Sequence, residues 1–201
     1  MIFKALQKKG SVYMKTVIIK VEAILKASNT ETFVTNRVSH VNVEFGGIPG
    51  DRHFGITDKA GVRQPMYERG TEIFNRRQIS IVSVEDCGLI AKELGVSEIK
   101  PEWLGANILV SGISHFTTLT MGSRFLFPDG TGLINNGENL PCKFPGQEIQ
   151  KAYSDMPDLA KKFIIAGKKR RGIVCSVERP GKISVNDEIK LLINDYEKPM
   201  Q

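Results

Sequence analysis

The sequence predicts a mainly β protein, a closed barrel or strongly curved sheet with a few peripheral α-helices. Short runs of alternating apolar and polar residues recur along the chain, turn residues stand between them, and only two stretches carry a helical period. Many short strands with few helices argue against a doubly wound α/β fold.

The first strand is read from Val17, Ile19, Val21 and Ala23, which alternate with Ile18, Lys20, Glu22 and Ile24. Val41, Val43 and Phe45 alternate in the same way with Asn42 and Glu44. Further strands are expected over 78–82, 107–110, 124–127, 172–178 and 188–193. Pro128-Asp129-Gly130 and Arg179-Pro180-Gly181 read as turns between them. One helix opens at Ser83, where Ser83 and Asp86 have the spacing of a capping box, and stops at Gly95. Cys87, Ile90, Ala91 and Leu94 share one face of it. The second helix is expected over 158–166, ending at Gly167. Phe125 and Phe127 share a strand face with no basic residue beside them on it, which suits a core more than a base-stacking platform.

With 201 residues and 41% hydrophobic content the chain can bury a sizeable core, most simply as one domain over 15–193 between polar tails at 1–14 and 194–201. Three cysteines, an odd number, form no disulfide framework. There is no signal-peptide run at the start and no apolar stretch long enough to span a bilayer, so a cytoplasmic location and no membrane partner are expected. The net charge of +6 points to an anionic partner, whether nucleic acid, an acidic protein or a phosphorylated small molecule.

Among the cysteines, Cys142 stands apart. Residues 135–146 carry two glycines and two prolines and no period, and so read as a surface loop in which a thiol meets solvent and substrate. Lys143 favours its thiolate, the form that attacks and ligates, while Glu138 opposes it. Cys87 and Cys175 fall on apolar faces and read as small buried hydrophobes.

A second cluster lies at Gly46-Gly47-Ile48-Pro49-Gly50-Asp51-Arg52-His53-Phe54-Gly55. Four glycines and a proline allow a ligand close to the backbone, with Arg52 for an anion and His53 for a proton. The same residues can equally form a tight turn with Asp51 capping a backbone amide. Arg76-Arg77 and Lys168-Lys169-Arg170-Arg171 each precede a strand, as solvated charges or as the rim of a phosphate pocket.

Gly50-Asp51-Arg52-His53, Arg77-Gln78-Ile79-Ser80-Ile81, Leu104-Gly105-Ala106-Asn107-Ile108 with Leu119-Thr120-Met121-Gly122, Pro141-Cys142, and Arg171-Gly172-Ile173-Val174 with Pro180-Gly181-Lys182-Ile183 follow one another in a recognisable order. In that order and spacing the chain resembles the MOSC domain, named for the C-terminal domain of molybdenum-cofactor sulfurases, over about residues 17–193. The resemblance implies a MOSC-type β-barrel, a reactive or molybdenum-ligating thiol at Cys142, and a cofactor-binding set of Asp51, Arg52, His53, Arg77, Asn107 and Arg171. In a closed barrel the loops of one end converge, which is where these residues are expected to meet. Two departures stand out: Gly105-Ala106-Asn107 in place of the family's Gly-Glu-Asn, and Asn186-Asp187 in place of Gly-Asp.

In function, the resemblance implies one of two activities. One is a sulfur carrier, on which Cys142 takes sulfane sulfur from a cysteine desulfurase for a molybdenum cofactor acceptor enzyme. The other is a molybdenum cofactor-dependent reductase of N-hydroxylated compounds. Pyridoxal phosphate would enter only through a partner desulfurase, since 201 residues leave no room for that domain. The alternative is a basic β-barrel that binds nucleic acid, made less favourable by the placement of Phe125 and Phe127.

Overall fold

The computed structural model describes residues 13–29 and 31–195. The strands in chain order are β1 (Tyr13–Lys26), β2 (Asn36–Val38), β3 (His40–Val43), β4 (Thr57–Lys59), β5 (Glu72–Phe74), β6 (Ile79–Ser83), β7 (Ile108–Ser111), β8 (Arg124–Leu126), β9 (Gly132–Glu138), β10 (Ile173–Arg179), β11 (Gly181–Ser184) and β12 (Glu188–Asp195). Three α-helices accompany them: α1 (Val84–Leu94), α2 (Lys143–Ala152) and α3 (Leu159–Ala166). The order β12-β8-β9-β10-β6-β7-β1, together with the pairing of β12 to β1, closes seven strands into a barrel. Closure leaves these strands no open edge.

The seam pairs Tyr13 with Asp195 and Met14 with Asn194, so regular strand runs beyond the residues expected to end the domain. The rest of the expected tails, 1–12 and 196–201, lies outside the described residues. One pair, β6 with β7, is parallel and is bridged on the outside by α1. Parallel strands require such a crossover. Among the described residues no helix is long and apolar enough to cross a membrane.

The barrel interior holds Ile19, Val21, Ile79, Ile81, Phe125, Leu133, Ile173, Cys175, Ile189 and Leu191. Phe127 joins this core, as its sharing a face with Phe125 implies. A second core lies outside the wall, where α1 and α3 press Cys87, Ile90, Leu94, Leu159 and Phe163 against Val82, Leu109 and Leu25. Helix α1 is capped as expected at Ser83, whose hydroxyl accepts from the Asp86 amide at 3.1 Å. Gly95 ends it in the left-handed region.

Two strand readings are corrected. The register between β1 and β7 shifts between Val21 and Ala23, so Ala23 joins the outer core and Ile24 the inner one, the reverse of unbroken alternation. A bulge leaves one extra residue on one strand and reverses the facing of everything beyond it. β3 ends at Val43, and a turn closed by Glu44 and Gly47 leaves Phe45 exposed instead of continuing the buried face.

The expected loop at 135–146 is also corrected. Residues 135–138 belong to β9, and α2 begins at Lys143, leaving only 139–142 irregular. Pro145 sits in the first turn of α2, where a missing N–H costs no hydrogen bond. Gly146 lies where α2 crosses α3, and a Cβ there would stand 2.6 Å from the Ala160 carbonyl oxygen.

Candidate functional site

Ser80 and Val174 alternate with Ile79, Ile81, Ile173 and Cys175, which fill the barrel, and therefore face outward. They floor a cavity of about 640 Å³ on the outer wall over β6 and β10. Its position is a correction: the site is built on the side of the barrel and not at an open end. Phe144 and Lys151 of α2, Leu104, and residues of the loops before β4 and β6 complete its walls.

Five of the seven expected residues line this cavity: Arg52, His53, Arg77, Cys142 and Arg171. Cys142 is half-buried and occupies the residue just before α2. Its side chain makes no capping bond to the helix. The Lys143 ammonium lies over the Phe144 ring, 5.4 Å from the centroid. Glu138 is engaged elsewhere and accepts from the Lys169 amide at 2.7 Å.

Asp51 and Asn107 stand behind the wall and not on it. Asp51 Oδ2 accepts from the Ala27 amide at 2.8 Å and from Asn107 Nδ2 at 2.9 Å. Its Oδ1 accepts from the His53 amide at 2.9 Å and lies 3.2 Å from His53 Nδ1. Asn107 Oδ1 in turn accepts from the Ser80 amide at 3.0 Å. Burial raises the Asp51 pKa, but the bonds from the His53 ring and the Ala27 and His53 amides, with the His53 charge, hold it below the usual carboxylate range. These two polar side chains therefore tie β1, β6, β7 and the His53 loop together. An Nδ1–H tautomer of His53 donates to Asp51 and leaves Nε2 as an acceptor.

The basic run before β10 divides. Lys168 and Lys169 are exposed, Arg170 pairs with Glu93 of α1, and Arg171 turns inward until only 7% exposed. The adjacent Gly172 allows this: its φ is 97°, and a Cβ there would meet the Ile81 carbonyl oxygen at 2.2 Å. The Gly172 amide donates to Thr117 Oγ1 at 2.8 Å, and that hydroxyl donates to the buried Asp86 at 2.7 Å. So Asp86, expected only as a capping residue, also anchors the turn that aims Arg171.

Arg171 Nη2 donates to the Leu104 carbonyl at 2.8 Å, while Nε and Nη1 are buried with no partner among the described residues. Burial lowers its pKa to about 10, opposed by the Cys142 charge, with Arg77 and Arg63 lowering it further. Burial likewise lowers Arg77 to about 10, with Arg63 adding to this and Cys142 and Asp58 opposing. Arg77 also donates to Asn139 Oδ1 at 2.7 Å. Four arginines, Arg52, Arg63, Arg77 and Arg171, thus line one cavity with one thiol, and two guanidinium nitrogens of Arg171 have no partner among the described residues, an arrangement suited to an anion. Arg63 was not anticipated; it lies in the loop between β4 and β5, whose sequence carries no periodic signal.

Cys87 and Cys175 are buried. Burial first, then the nearby carboxylates of Asp86, Glu85 and Glu102, push the Cys87 thiol up to about 12, and burial alone pushes Cys175 higher still.

The chain is similar to known proteins over nearly its whole length. YuaD of Bacillus subtilis (strain 168), assigned by name only to metal-sulfur cluster biosynthesis, is 51% identical over 177 residues, 88% of this chain and 91% of that protein. The crystal structure of the YuaD protein from Bacillus subtilis superposes with a TM-score of 0.88, covering 90% of this chain and 100% of that one. YiiM from Geobacillus stearothermophilus, 15% identical with a TM-score of 0.58 over 86% of this chain and 74% of its own, shares the fold. Residues 49–190 match the profile of the MOSC domain, and the chain belongs to the MOSC domain family.

Proposed function

We propose that this protein carries sulfur on Cys142 in metal-sulfur cofactor chemistry, within the cytoplasm. The observation that carries the reading is the buried Arg171, whose Nε and Nη1 have no partner among the described residues and which lines one cavity with the half-buried Cys142 thiol. An unpaired buried cation is costly unless an anion completes it. The Cys142 thiolate, and more so the persulfide it becomes, is such an anion.

In the loading step Cys142 Sγ attacks the terminal sulfur of a donor persulfide, for which a pyridoxal phosphate-dependent cysteine desulfurase is the fitting source. A bond forms between Sγ and that sulfur as the donor's S–S bond breaks, and the electron pair leaves on the donor cysteine as thiolate. His53 Nε2 can take the proton of the incoming persulfide, its ring oriented by Asp51. Arg171 and Arg77 hold the new terminal sulfur. Delivery reverses the logic: a nucleophile of the acceptor, such as a molybdenum cofactor enzyme, takes the terminal sulfur and Cys142 leaves as thiolate.

A second reading rests on the number of arginines, which exceeds what one persulfide needs. Arg171, Arg77 and Arg63 fit the phosphate of molybdopterin, and the Cys142 thiolate fits a molybdenum ligand. When bound, such a cofactor would supply the redox chemistry for reducing an N-hydroxylated substrate.

Loading the protein with a cysteine desulfurase and free cysteine, followed by mass spectrometry, should show one added sulfur that disappears on alkylation of Cys142. Cys142→Ser should accept none. Equal uptake by the wild type and that variant would end the carrier reading. Molybdenum and pterin analysis of protein from a cofactor-competent host separates the two readings, and retention lost in Arg171→Ala would favour the second.

A further inference from the structure

We infer that a groove opening off the Cys142 cavity docks an extended segment of a sulfur-donor protein, one that is acidic and apolar and carries the persulfide at its tip. The inference rests on the carrier reading of Cys142. The groove has a volume of about 650 Å³ and shares Arg63, Arg77 and Val174 with the Cys142 cavity, so a chain lying in one points into the other.

Its lips carry Val62, Met66, Tyr67, Phe74 and Leu140, five of the fifteen large apolar side chains that stand exposed among the described residues. Val62 is 86% and Met66 72% exposed, although single exposed apolar residues are ordinary only when scattered. Their backbone is held out deliberately. β4 and β5 form a separate two-stranded ribbon, and the loop they carry is closed on itself by Ala60 and Gly70 donating to Thr71 and Ala60 at 2.8 Å. Gln64 pins the loop further, accepting at its side chain from the Gly61 amide at 3.1 Å. Without a partner this ribbon buries little of the apolar surface it presents, and a donor segment that covered it would recover that burial.

The charge of the groove selects the partner. Arg63, Arg76 and Arg77 face it against Asp58 and Glu138, which leaves the lining net positive. An acidic segment is attracted to this surface and a basic one repelled. A free small donor needs only the inner cavity. The apolar lips outside it have a use only if the sulfur arrives on a polypeptide, as in extended-peptide recognition, where a groove supplies the affinity and pockets the selectivity.

The probe is a synthetic peptide with one central cysteine flanked by aspartate and leucine residues, compared with a version in which lysines replace the aspartates. Fluorescence anisotropy measures binding of each peptide to the full chain, and mass spectrometry measures sulfur transfer from the persulfidated peptide and from inorganic polysulfide. The acidic peptide should bind the wild type about tenfold or more tightly than the lysine version. Met66→Glu and Tyr67→Glu should each weaken binding, and slow transfer from the peptide, by about tenfold while leaving polysulfide loading of Cys142 unchanged. Unchanged polysulfide loading also shows that the variants are folded. No binding by the wild type, equal binding of the two peptides, or wild-type binding by both variants overturns the docking inference. Failure of polysulfide to load the wild type instead sinks the carrier reading, and peptide binding still decides the groove.

Discussion

Asp51 and Arg171 are buried almost equally, 5% and 7% exposed, behind and on the same cavity wall, yet their surroundings differ in kind. Both oxygens of Asp51 are taken, by two amides, an asparagine and a histidine ring. Arg171 spends one nitrogen on the Leu104 carbonyl and leaves two buried and idle. A satisfied buried charge holds a structure together, whereas an unsatisfied one is a cost that a bound anion can offset. Asp51 is framework behind the wall, and Arg171 stands on the face of that wall with donors still to offer.

The sharpest break of this contrast is chemical. On the cavity face, Cys142 should react with a thiol probe about a hundredfold or more faster than Cys87 or Cys175 in the native protein, because thiolate access controls the rate. Peptide mapping after partial labelling checks this, and comparable labelling of all three would erase the distinction.

The next largest effect tests the framework. Asp51→Ala strands the Ala27 and His53 amides and Asn107 Nδ2, and should cost about 3 kcal/mol in chemical denaturation. Arg171→Met should shift stability by only about 1 kcal/mol in either direction, since it removes a buried cation that is incompletely paired. The same variant should bind sulfite or phosphate at least about tenfold more weakly, read by calorimetry. If Arg171→Met proves as destabilising as Asp51→Ala, Arg171 is framework too.

The smallest effect is in the pH dependence. The Asp51 carboxyl titrates below its ordinary value when folded, so its stabilisation is present above the unfolded value of about 4 and is lost as pH falls through the folded one. Wild-type stability should therefore fall more steeply in acid than that of Asp51→Asn. Parallel acid unfolding curves for the two would mean that Asp51 contributes nothing through its charge.

Much of the barrel is legible in the sequence because a strand that buries one face must alternate, as β8 and β12 do, and because β6 and β10, buried on both faces over most of their length, are short runs rich in Ile and Val. What is hidden depends on distant contacts. Helix α2 is masked by Pro145 and Gly146, which break a pattern locally but suit a first turn and a close crossing of α3. The bulge in β1 falls between Val21 and Ala23, where the successive apolar residues Ala23, Ile24 and Leu25 suit either register and hide the shift. Of the site, Cys142 and the basic runs at 76–77 and 168–171 can be found from composition and placement, while Arg77 and Arg171 are singled out by the resemblance alone; nothing in Lys168-Lys169-Arg170-Arg171 itself says which of four cations turns inward. Gly172 is the local cue, visible only once a strand is placed after it. Asp51 sits in the tight turn that its glycine-rich segment allows, capping the His53 amide, and its second oxygen reaches the distant Ala27 amide, a contact that no local pattern carries. Asn186, at φ 70°, occupies a left-handed turn, so the departure there from Gly-Asp concerns backbone shape and lies outside the cavity wall.

The closing pair of strands, β1 with β12, joins the two ends of the described chain and so has nearly the longest loop to close. Cys142 follows β9, Arg171 precedes β10 and Arg77 precedes β6, three adjacent strands in the wall opposite that seam. Fraying of the first and last strands, the cheapest opening motion for such a barrel, can thus proceed as a separate cooperative unit. Amide exchange would then run quickly along the seam while the strands beneath the thiol keep their protons, and the barrel could open at its back without disturbing the cavity that holds Cys142.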